Sequence, residues 1–501
     1  MRNRLQILFL LFILAILCFY VSMQLSPNFM KWMRICVSLS AIFIAIFIFF
    51  ENRDPSRTLA WFVVLVVFPV IGFFFYLFFG QSYRKKRRYH QNFFSNINLH
   101  YAQTRSDIQS NVDGNFKNAH YEKVLRLSSK LSPASAFIYT ESRILTNGEE
   151  TFASILNALE QAKHHIHLAY YIVRNDRLGN ELKEILIRKA KEGVRIRFLY
   201  DAVGSMKLNR GYVRELQENG VHILPFSPIR LFDLGSPNYR NHRKIIVVDG
   251  QIGFVGGLNI GDEYLGRVKH FGFWRDTHVM LDGLAIRNLQ MIFLQDWIFT
   301  SKEPLLDETI YFQTEKRKTD GLIQVIAGGP DTKQKEIKHI FLSMISSARK
   351  SIYIASPYFI PDEDVYSALK IAALGGVDVK ILFPFYPDKK FVFYASRSYF
   401  SELLQAGVRI FQYTRGFMHS KFIIVDGKIA SIGTANMDMR SFHLNFEINV
   451  FLYFSSSVHH LEEVFMDDLV ESTELTLSEL EKRTLKERIL ESFCRLFSPL
   501  L

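Results

Sequence analysis

One stretch of this 501-residue chain is written twice. The first copy reads NHRKIIVVDGQIGFVGGLN and holds His242, Lys244, Asp249, Gly256, Gly257 and Asn259. The second reads MHSKFIIVDGKIASIGTAN and holds His419, Lys421, Asp426, Gly433 and Asn436. His, Lys, Asp and Asn all recur at a single offset of 177 positions. One H-x-K-x4-D string would mean little, because its residues are common. Two complete copies, followed by matching Gly and Asn offsets, are a duplicated site.

The surroundings repeat too. Strand-like apolar runs alternate with helical patterns: helix Thr151–Lys163, strand Ile166–Val173, helix Gly179–Glu192 and strand Val194–Tyr200. The same order returns as helix Lys335–Arg349, strand Ile352–Pro357, helix Asp364–Leu374 and strand Val377–Phe383. GVRIRFLYD at Gly193 answers GVDVKILFP at Gly376, and ENGVHILPF at Glu218 answers QAGVRIFQY at Gln405. Two similar α/β halves, each a sheet covered by helices, are the economical architecture.

On a strand, residues two apart share a face, so His and Lys of each copy can address one site while neighbouring Ile and Val anchor the strand. A phosphodiester is a negatively charged, sluggish electrophile. Its displacement needs a nucleophile, positive charge around the non-bridging oxygens and a proton for the departing alkoxide. Two His and two Lys supply all three. One imidazole attacks phosphorus; the other protonates the leaving alcohol and then deprotonates the incoming one. A neutral nucleophile and a protonated acid need different environments, which nearby carboxylates would provide. Lys244 and Lys421 are expected to hold phosphate as point charges, with Asn259 and Asn436 adding amides. Asp249 and Asp426 are placed in the catalytic set, although Asp before Gly at a strand end is also an ordinary turn residue.

The formal charge of +12 and pI near 9.3 imply an anionic partner: nucleic acid, a phosphorylated substrate or a membrane surface. The N-terminal region narrows the choice. Leu5–Met23, Ile35–Phe50 and Leu59–Phe79 are uncharged runs of 19, 16 and 21 residues, against about 20 needed to cross a bilayer. The second is short unless its flanks snorkel, so two or three transmembrane helices are expected within residues 1–80. Arg2 and Arg4 would suit a signal peptide, but no small-residue cleavage site lies between Tyr20 and Ser26. Pro69 and Gly72 in the third run read as a kink. Arg84, Lys85, Lys86, Arg87 and Arg88 follow it, which keeps that flank and the bulk of the chain cytoplasmic and can also attract anionic headgroups. A multi-pass protein of the plasma membrane is expected. Cys18, Cys36 and Cys494 are too few for a disulfide scaffold.

At these residues the sequence resembles the phospholipase D superfamily, and within it the bacterial cardiolipin synthases. The likeness rests on the doubled motif and on longer phrases: ENRDPSRTLAWFVVLVVFPVIGFFFYLFFG, HRKIIVVDGQIGFVGGLNIGDEYLG, FWRDTH, SPYFIPD and GTANMDMRSFHLNFEIN. Together they cover Glu51 to Tyr453. The resemblance implies two pseudo-symmetric phospholipase D-like α/β/α sandwich domains with one active site between them, and no metal or other cofactor. It implies that one phosphatidylglycerol loses glycerol to form a phosphatidyl-histidine, and that a second attacks this to give cardiolipin. His242, Lys244 and Asp249 match the first family motif; His419, Lys421 and Asp426 match the second. The superfamily places a carboxylate behind each histidine, which Glu447 in NFEIN and Asp276 in WRDTH would supply; by analogy His242 is the attacking group. Relatives commonly show two spans, so Leu5–Met23 is additional or merged with the second run. The expected boundaries are a membrane segment at 1–80, a basic linker at 81–135, and domains at 136–315 and 316–501. Phosphatidylglycerol and other anionic phospholipids are the expected partners. A hydrolase or nuclease with the same chemistry is the alternative, but stacking stretches of aromatic and basic residues are missing outside the hydrophobic runs, so nucleic acid is not expected.

Other features read plainly. His164 and His165 point to opposite faces of a strand and, with His167, lack acidic or Cys partners at ligand spacing, so no metal is expected there. Residues 90–130 are polar and read as a linker or loose cover. The aromatic stretch from Phe383 could line a lipid entrance, though core burial is commoner. Leu485, Ile489, Phe493 and Leu496 form an apolar stripe near the end of the chain; core packing is the default for it and a membrane interface the alternative.

Overall fold

The structure is a computed structural model. It describes residues 119–501 apart from 229–237, 270–271, 304, 306–308 and 333, together with isolated helical positions between 31 and 72. The expected membrane spans, bar those positions, and the basic cluster Arg84–Arg88 lie outside the described residues. Among the described residues no helix is long and apolar enough to cross a membrane. Residues 1–81 with 232–235 form one compact unit, in which every described position is helical. Residues 82–231 and 236–501 form the other, and it contains both copies of the repeat.

The first half holds β1 (Thr140–Thr146), β2 (His165–Tyr170), β3 (Arg195–Asp201), β4 (His222–Phe226), β5 (Ile245–Val248), β6 (Ile252–Gly256), β7 (Phe273–Arg275) and β8 (Thr277–Gly283). All but β7 make one sheet in the order β1-β8-β6-β5-β2-β3-β4. The second half holds β9 (Leu322–Gly328), β10 (Ser351–Ala355), β11 (Phe359–Ile360), β12 (Asp378–Pro384), β13 (Arg409–Tyr413), β14 (Gly416–Met418), β15 (Phe422–Val425), β16 (Ile429–Gly433), β17 (Met437–Asp438), β18 (Glu447–Tyr453) and β19 (Ser472–Leu475). Its sheet runs β9-β18-β16-β15-β10-β12-β13-β19, the same order with one added edge strand. In both halves the three strands joined through helices are parallel and the hairpin-linked strands antiparallel, as connection length requires.

Alternation along the strands sets the layers. Ile245 and Val247 of β5, with Phe422 and Ile424 of β15, face a shared central core that also takes in Leu289, Phe293, Trp297, Val458, Leu461 and Phe465 from helices Ile286–Ser301 and Ser456–Val470. Ile246 and Val248 face outward under helices Asn147–Glu160, Arg177–Lys191 and Arg210–Glu218. Ile423 and Val425 do the same under Glu336–Ser346 and Glu363–Leu374. The two sheets are thus the outer walls of one apolar interior. Asp176 and Asp362 cap the helices that follow them by accepting from Gly179 N and Val365 N, which starts those helices one or two residues before the apolar pattern does.

Three expectations change. The polar segment read as linker ends in a helix, Ala119–Leu131, whose Val124 and Ser128 are buried against the second half. Ser128 donates to Gln324 Oε1 of β9 at 2.8 Å. Tyr121, Val124, Leu125 and Leu131 recur at helical spacing and form its inner face; the partner they meet is supplied by tertiary packing alone. The stripe Leu485–Leu496 is exposed rather than packed on the core. Finally, His242 and Lys244, like His419 and Lys421, lie just before β5 and β15 rather than within them.

Candidate active site

Two short pairings between the halves build the site. β7 runs parallel to β14, with Met418 opposite Arg275, and Asn241 bridges to Phe446. The residue after each pair is a histidine on one side and a carboxylate on the other. His419 N donates to Arg275 O at 2.7 Å and His242 N to Phe446 O at 2.9 Å. His242 therefore meets Glu447 of the second half, its Nδ1 3.0 Å from both carboxylate oxygens. His419 meets Asp276 of the first half, Nδ1 to Oδ2 at 2.7 Å. Each histidine thus has a carboxylate against its Nδ1, and each carboxylate comes from the opposite half.

Burial and charge set the protonation states. Burial opposes ionisation of both carboxylates, yet Lys421 and His419 around Asp276, and His242 and Lys244 around Glu447, hold them below the usual range. Burial also pushes His242 down to about 4 and His419 to about 3. Each free imidazole is consequently neutral, with Nδ1–H donating to an anion and the Nε2 lone pair available. Lys421 Nζ also lies 3.0 Å from His419 Nδ1. Because that nitrogen carries the hydrogen given to Asp276, Lys421 donates instead to His419 O. Lys244 likewise donates to His242 O, at 2.7 Å. Burial lowers Lys244 to about 7 and Lys421 to about 8; Glu447 and Asp276 both oppose that fall in each lysine, and the Lys421 charge adds to it in Lys244. These mutual effects tie both copies of the motif into one electrostatic cluster, with two imidazoles and two ammonium groups arranged for an anion.

The residues between them point away. Arg243 donates to both oxygens of Asp296 at 2.6 and 2.7 Å, and Ser420 Oγ meets Thr277 Oγ1 at 3.0 Å. Alternation thus sends His and Lys to the site and their neighbours into the interior.

Asp249 and Asp426, expected in the catalytic set, hold turns at the far ends of β5 and β15. Asp249 accepts from the backbone N–H groups of Lys163, His164 and His165 at 2.8 to 2.9 Å. Asp426 accepts from those of Arg349, Lys350 and Ser351, and from Tyr121 Oη at 2.6 Å. Their φ angles of 53° and 56°, each followed by Gly at positive φ, fit an Asp–Gly hairpin turn. Five residues of extended chain, roughly 16 Å, separate them from the lysines, too far to share a phosphate.

Asn259 and Asn436 are buried and already engaged. Asn259 accepts from Ile172 N and donates to Tyr264 Oη at 3.1 Å; Asn436 donates to Asp438 at 3.1 Å. One amide hydrogen of each is committed to the protein. Gly257 earns its place differently: a Cβ there would lie 2.1 Å from Asp276 Oδ1, so only glycine lets that backbone pass the carboxylate.

Several neighbours had no assigned role in the sequence. Thr277 N donates to Asp276 Oδ1 at 2.8 Å and Asn445 Nδ2 to Glu447 Oε1 at 3.1 Å, fixing both carboxylates. Tyr171 sets its ring edge-on to His242 at 5.0 Å, and Trp274 packs 5.0 Å from His419. Trp274, Thr277 and Asn445 lie inside the phrases FWRDTH and HLNFEIN, a signal of position but not of role; Tyr171 carried none. His165 and His167 are buried against Gln290, whose amide spans them at 3.2 and 2.8 Å.

The family described as "Cardiolipin synthase, PLD-like domain" matches residues 155–297 and 341–469, more than half of the chain and both copies of the motif. The chain belongs to the cardiolipin synthase family. A second family, described as "Phospholipase_D-nuclease N-terminal", matches residues 39–81. Among curated relatives, cardiolipin synthase 2 of Bacillus cereus is 55% identical over 93% of this chain and 90% of its own length. The cardiolipin synthases of Geobacillus sp. and Alkalihalophilus pseudofirmus are 52% and 53% identical over the whole of both chains. The crystal structure of phosphatidylserine synthase from Haemophilus influenzae shares the fold, with a TM-score of 0.59 and 15% identity over 76% of this chain and all of that one.

Proposed function

We propose that this enzyme condenses two molecules of phosphatidylglycerol into cardiolipin and glycerol through a covalent phosphatidyl-histidine. The observation that carries the reading is the exchange of carboxylates between halves, which gives two neutral imidazoles and two lysines a common site. His242 Nε2 attacks the phosphorus of the first lipid, and its bond to the glycerol oxygen breaks. His419, protonated at Nε2 once the phosphodiester anion is seated between the lysines, gives its proton to that oxygen. The hydroxyl of a second phosphatidylglycerol then returns a proton to His419 and displaces His242. Protons and bonds balance over the cycle. Lys244 and Lys421 bear on the non-bridging oxygens, with Asn259 and Asn436 in support.

Family membership and the match at residues 39–81 support a membrane-associated protein. The reading extends to a multi-pass protein of the cell membrane, anchored through residues 1–80 with its catalytic domains, 136–315 and 316–501, on the cytoplasmic side by virtue of Arg84–Arg88. Incubating the purified full chain with vesicles of glycerol-labelled phosphatidylglycerol tests the reaction. Cardiolipin with an equal amount of free glycerol supports it; phosphatidic acid alone makes the protein a hydrolase, and DNA cleavage without lipid turnover makes it a nuclease. Activity is expected to persist in excess chelator.

A further inference from the structure

The helix Leu485–Arg495 is inverted relative to its own amphipathic pattern. At about 100° per residue, Leu485, Ile489, Phe493 and Leu496 share one stripe, the one that normally meets a core. Here they are 74, 60, 53 and 76% exposed. The buried side instead carries Cys494 and Glu491, the latter paired with Arg483 and Arg397. A capping box, Thr484 with Glu487, starts the helix at this rotation. The cap and the two ion pairs of Glu491 hold the helix at this rotation, so the exposure of the stripe is built in.

The stripe belongs to a larger patch. Phe497 contacts Phe493 and Phe391 with ring centroids 5.4 Å away in each case, which joins it to the helix Lys390–Arg397. The loop before that helix adds exposed Phe385 and Tyr386. The same loop reaches the catalytic cluster: Asp388 accepts from Tyr358 Oη at 2.6 Å, and its charge acts on Lys421. Cations rim the patch. Lys486 flanks the stripe on one side, Arg488 and Arg495 on the other, and Lys389 and Lys390 edge the loop, all exposed.

We infer that this patch is a docking surface for an anionic lipid bilayer, which seats the catalytic unit on the membrane beside the mouth of its site. An apolar stripe with basic flanks is the surface that lies in a headgroup layer, its aromatic and aliphatic side chains among the acyl chains and its cations at the phosphates. A second copy of the chain is the poorer occupant, since a twofold contact sets the cationic rim against itself. The inference goes beyond the proposed reaction and does not depend on the acceptor.

The test uses the full chain reconstituted in vesicles, with Cys18, Cys36 and Cys494 replaced by Ala and Ile489→Cys carrying an environment-sensitive fluorophore. Emission is expected to shift to the blue and to be quenched by bromine on the lipid chains in phosphatidylglycerol vesicles, several-fold more than in phosphatidylcholine vesicles. Neutralising Lys486, Arg488 and Arg495 to Gln together should abolish that difference between lipids. A blue-shifted emission that chain bromine leaves untouched places protein over the patch and overturns the inference, as does emission typical of water in both vesicles. This readout is blind to catalysis, so its failure is separate from failure of the proposed reaction. In a second arm, Ile489→Glu with Phe493→Glu should slow turnover of vesicular phosphatidylglycerol several-fold and leave turnover of dispersed short-chain phosphatidylglycerol unchanged; equal loss on both overturns the docking role.

Discussion

His242 faces both oxygens of Glu447 at 3.0 Å, whereas His419 faces one oxygen of Asp276 at 2.7 Å and has the Lys421 ammonium 3.0 Å from the same nitrogen. After burial, the strongest influence on His242 is its carboxylate, and the strongest on His419 is its lysine. The supports behind them differ as well. The equivalent helix aspartates Asp296 and Asp468 are both held by arginine, but by Arg243 beside His242 in one case and Arg275 of β7 in the other. The two halves therefore share a motif and not an environment. An imidazole next to an anion is the more basic and the better nucleophile, while one next to a cation forms the more acidic imidazolium and the better proton donor. This asymmetry agrees with attack by His242 and proton transfer by His419.

Replacing the histidines probes that division most severely. His242→Ala and His419→Ala should each lower kcat by roughly 10⁴-fold or more, with the protein still folded. A phosphatidyl ester with an activated leaving group needs no acid, so His419→Ala should still accumulate radiolabelled phosphatidyl-protein and His242→Ala should not. The reverse pattern would exchange their roles.

The crossed carboxylates come next. Glu447→Gln and Asp276→Asn should each cost roughly 10³-fold in kcat, because a neutral amide holds the imidazole tautomer poorly. Nitrogen NMR of the imidazoles should show Glu447→Gln shifting His242 alone and Asp276→Asn shifting His419 alone. Any other pattern breaks the pairing between halves.

A gentler probe is pH. In the free site Lys244 is pushed down to about 7 and Lys421 to about 8. A lysine is charged below its pKa, so kcat/KM should be level only on the acid side of this window and fall as pH rises through it, the decline already under way at neutrality. The fall follows free enzyme and not the bound complex, whose phosphate favours the charged lysines, so kcat should decline later. Coincident decline of kcat and kcat/KM would argue against the lysines as phosphate holders.

The smallest effects belong to the turn aspartates. Asp249→Asn and Asp426→Asn should each lower unfolding free energy by about 1–3 kcal/mol and leave kcat nearly unchanged. Tyr121→Phe, which removes one of the donors to Asp426, should cost about 1 kcal/mol by the same measure. A large kcat loss in either Asp variant would return that residue to the chemistry.

Much of the architecture was legible because it rests on local rules. The alternation of strand and helix patterns located helices and strands within a few residues of Arg177–Lys191, Arg195–Asp201 and Glu363–Leu374. The turn role of Asp249 and Asp426 was half visible in the Asp–Gly pair itself. The helix Ala119–Leu131 and the outward stripe of Leu485–Arg495 were not, because a helix pattern names a face without naming what lies against it.

By itself, the sequence determined the duplication, the common sheet order that follows from it, and the two imidazole–lysine pairs, since these depend on residue identity and on side-chain alternation over a few positions. The tertiary structure alone decided which carboxylate serves which histidine. Those partners are 205 and 143 positions apart, and they meet only because β7 lies along β14 and Asn241 along Phe446, pairings between halves that no local periodicity encodes.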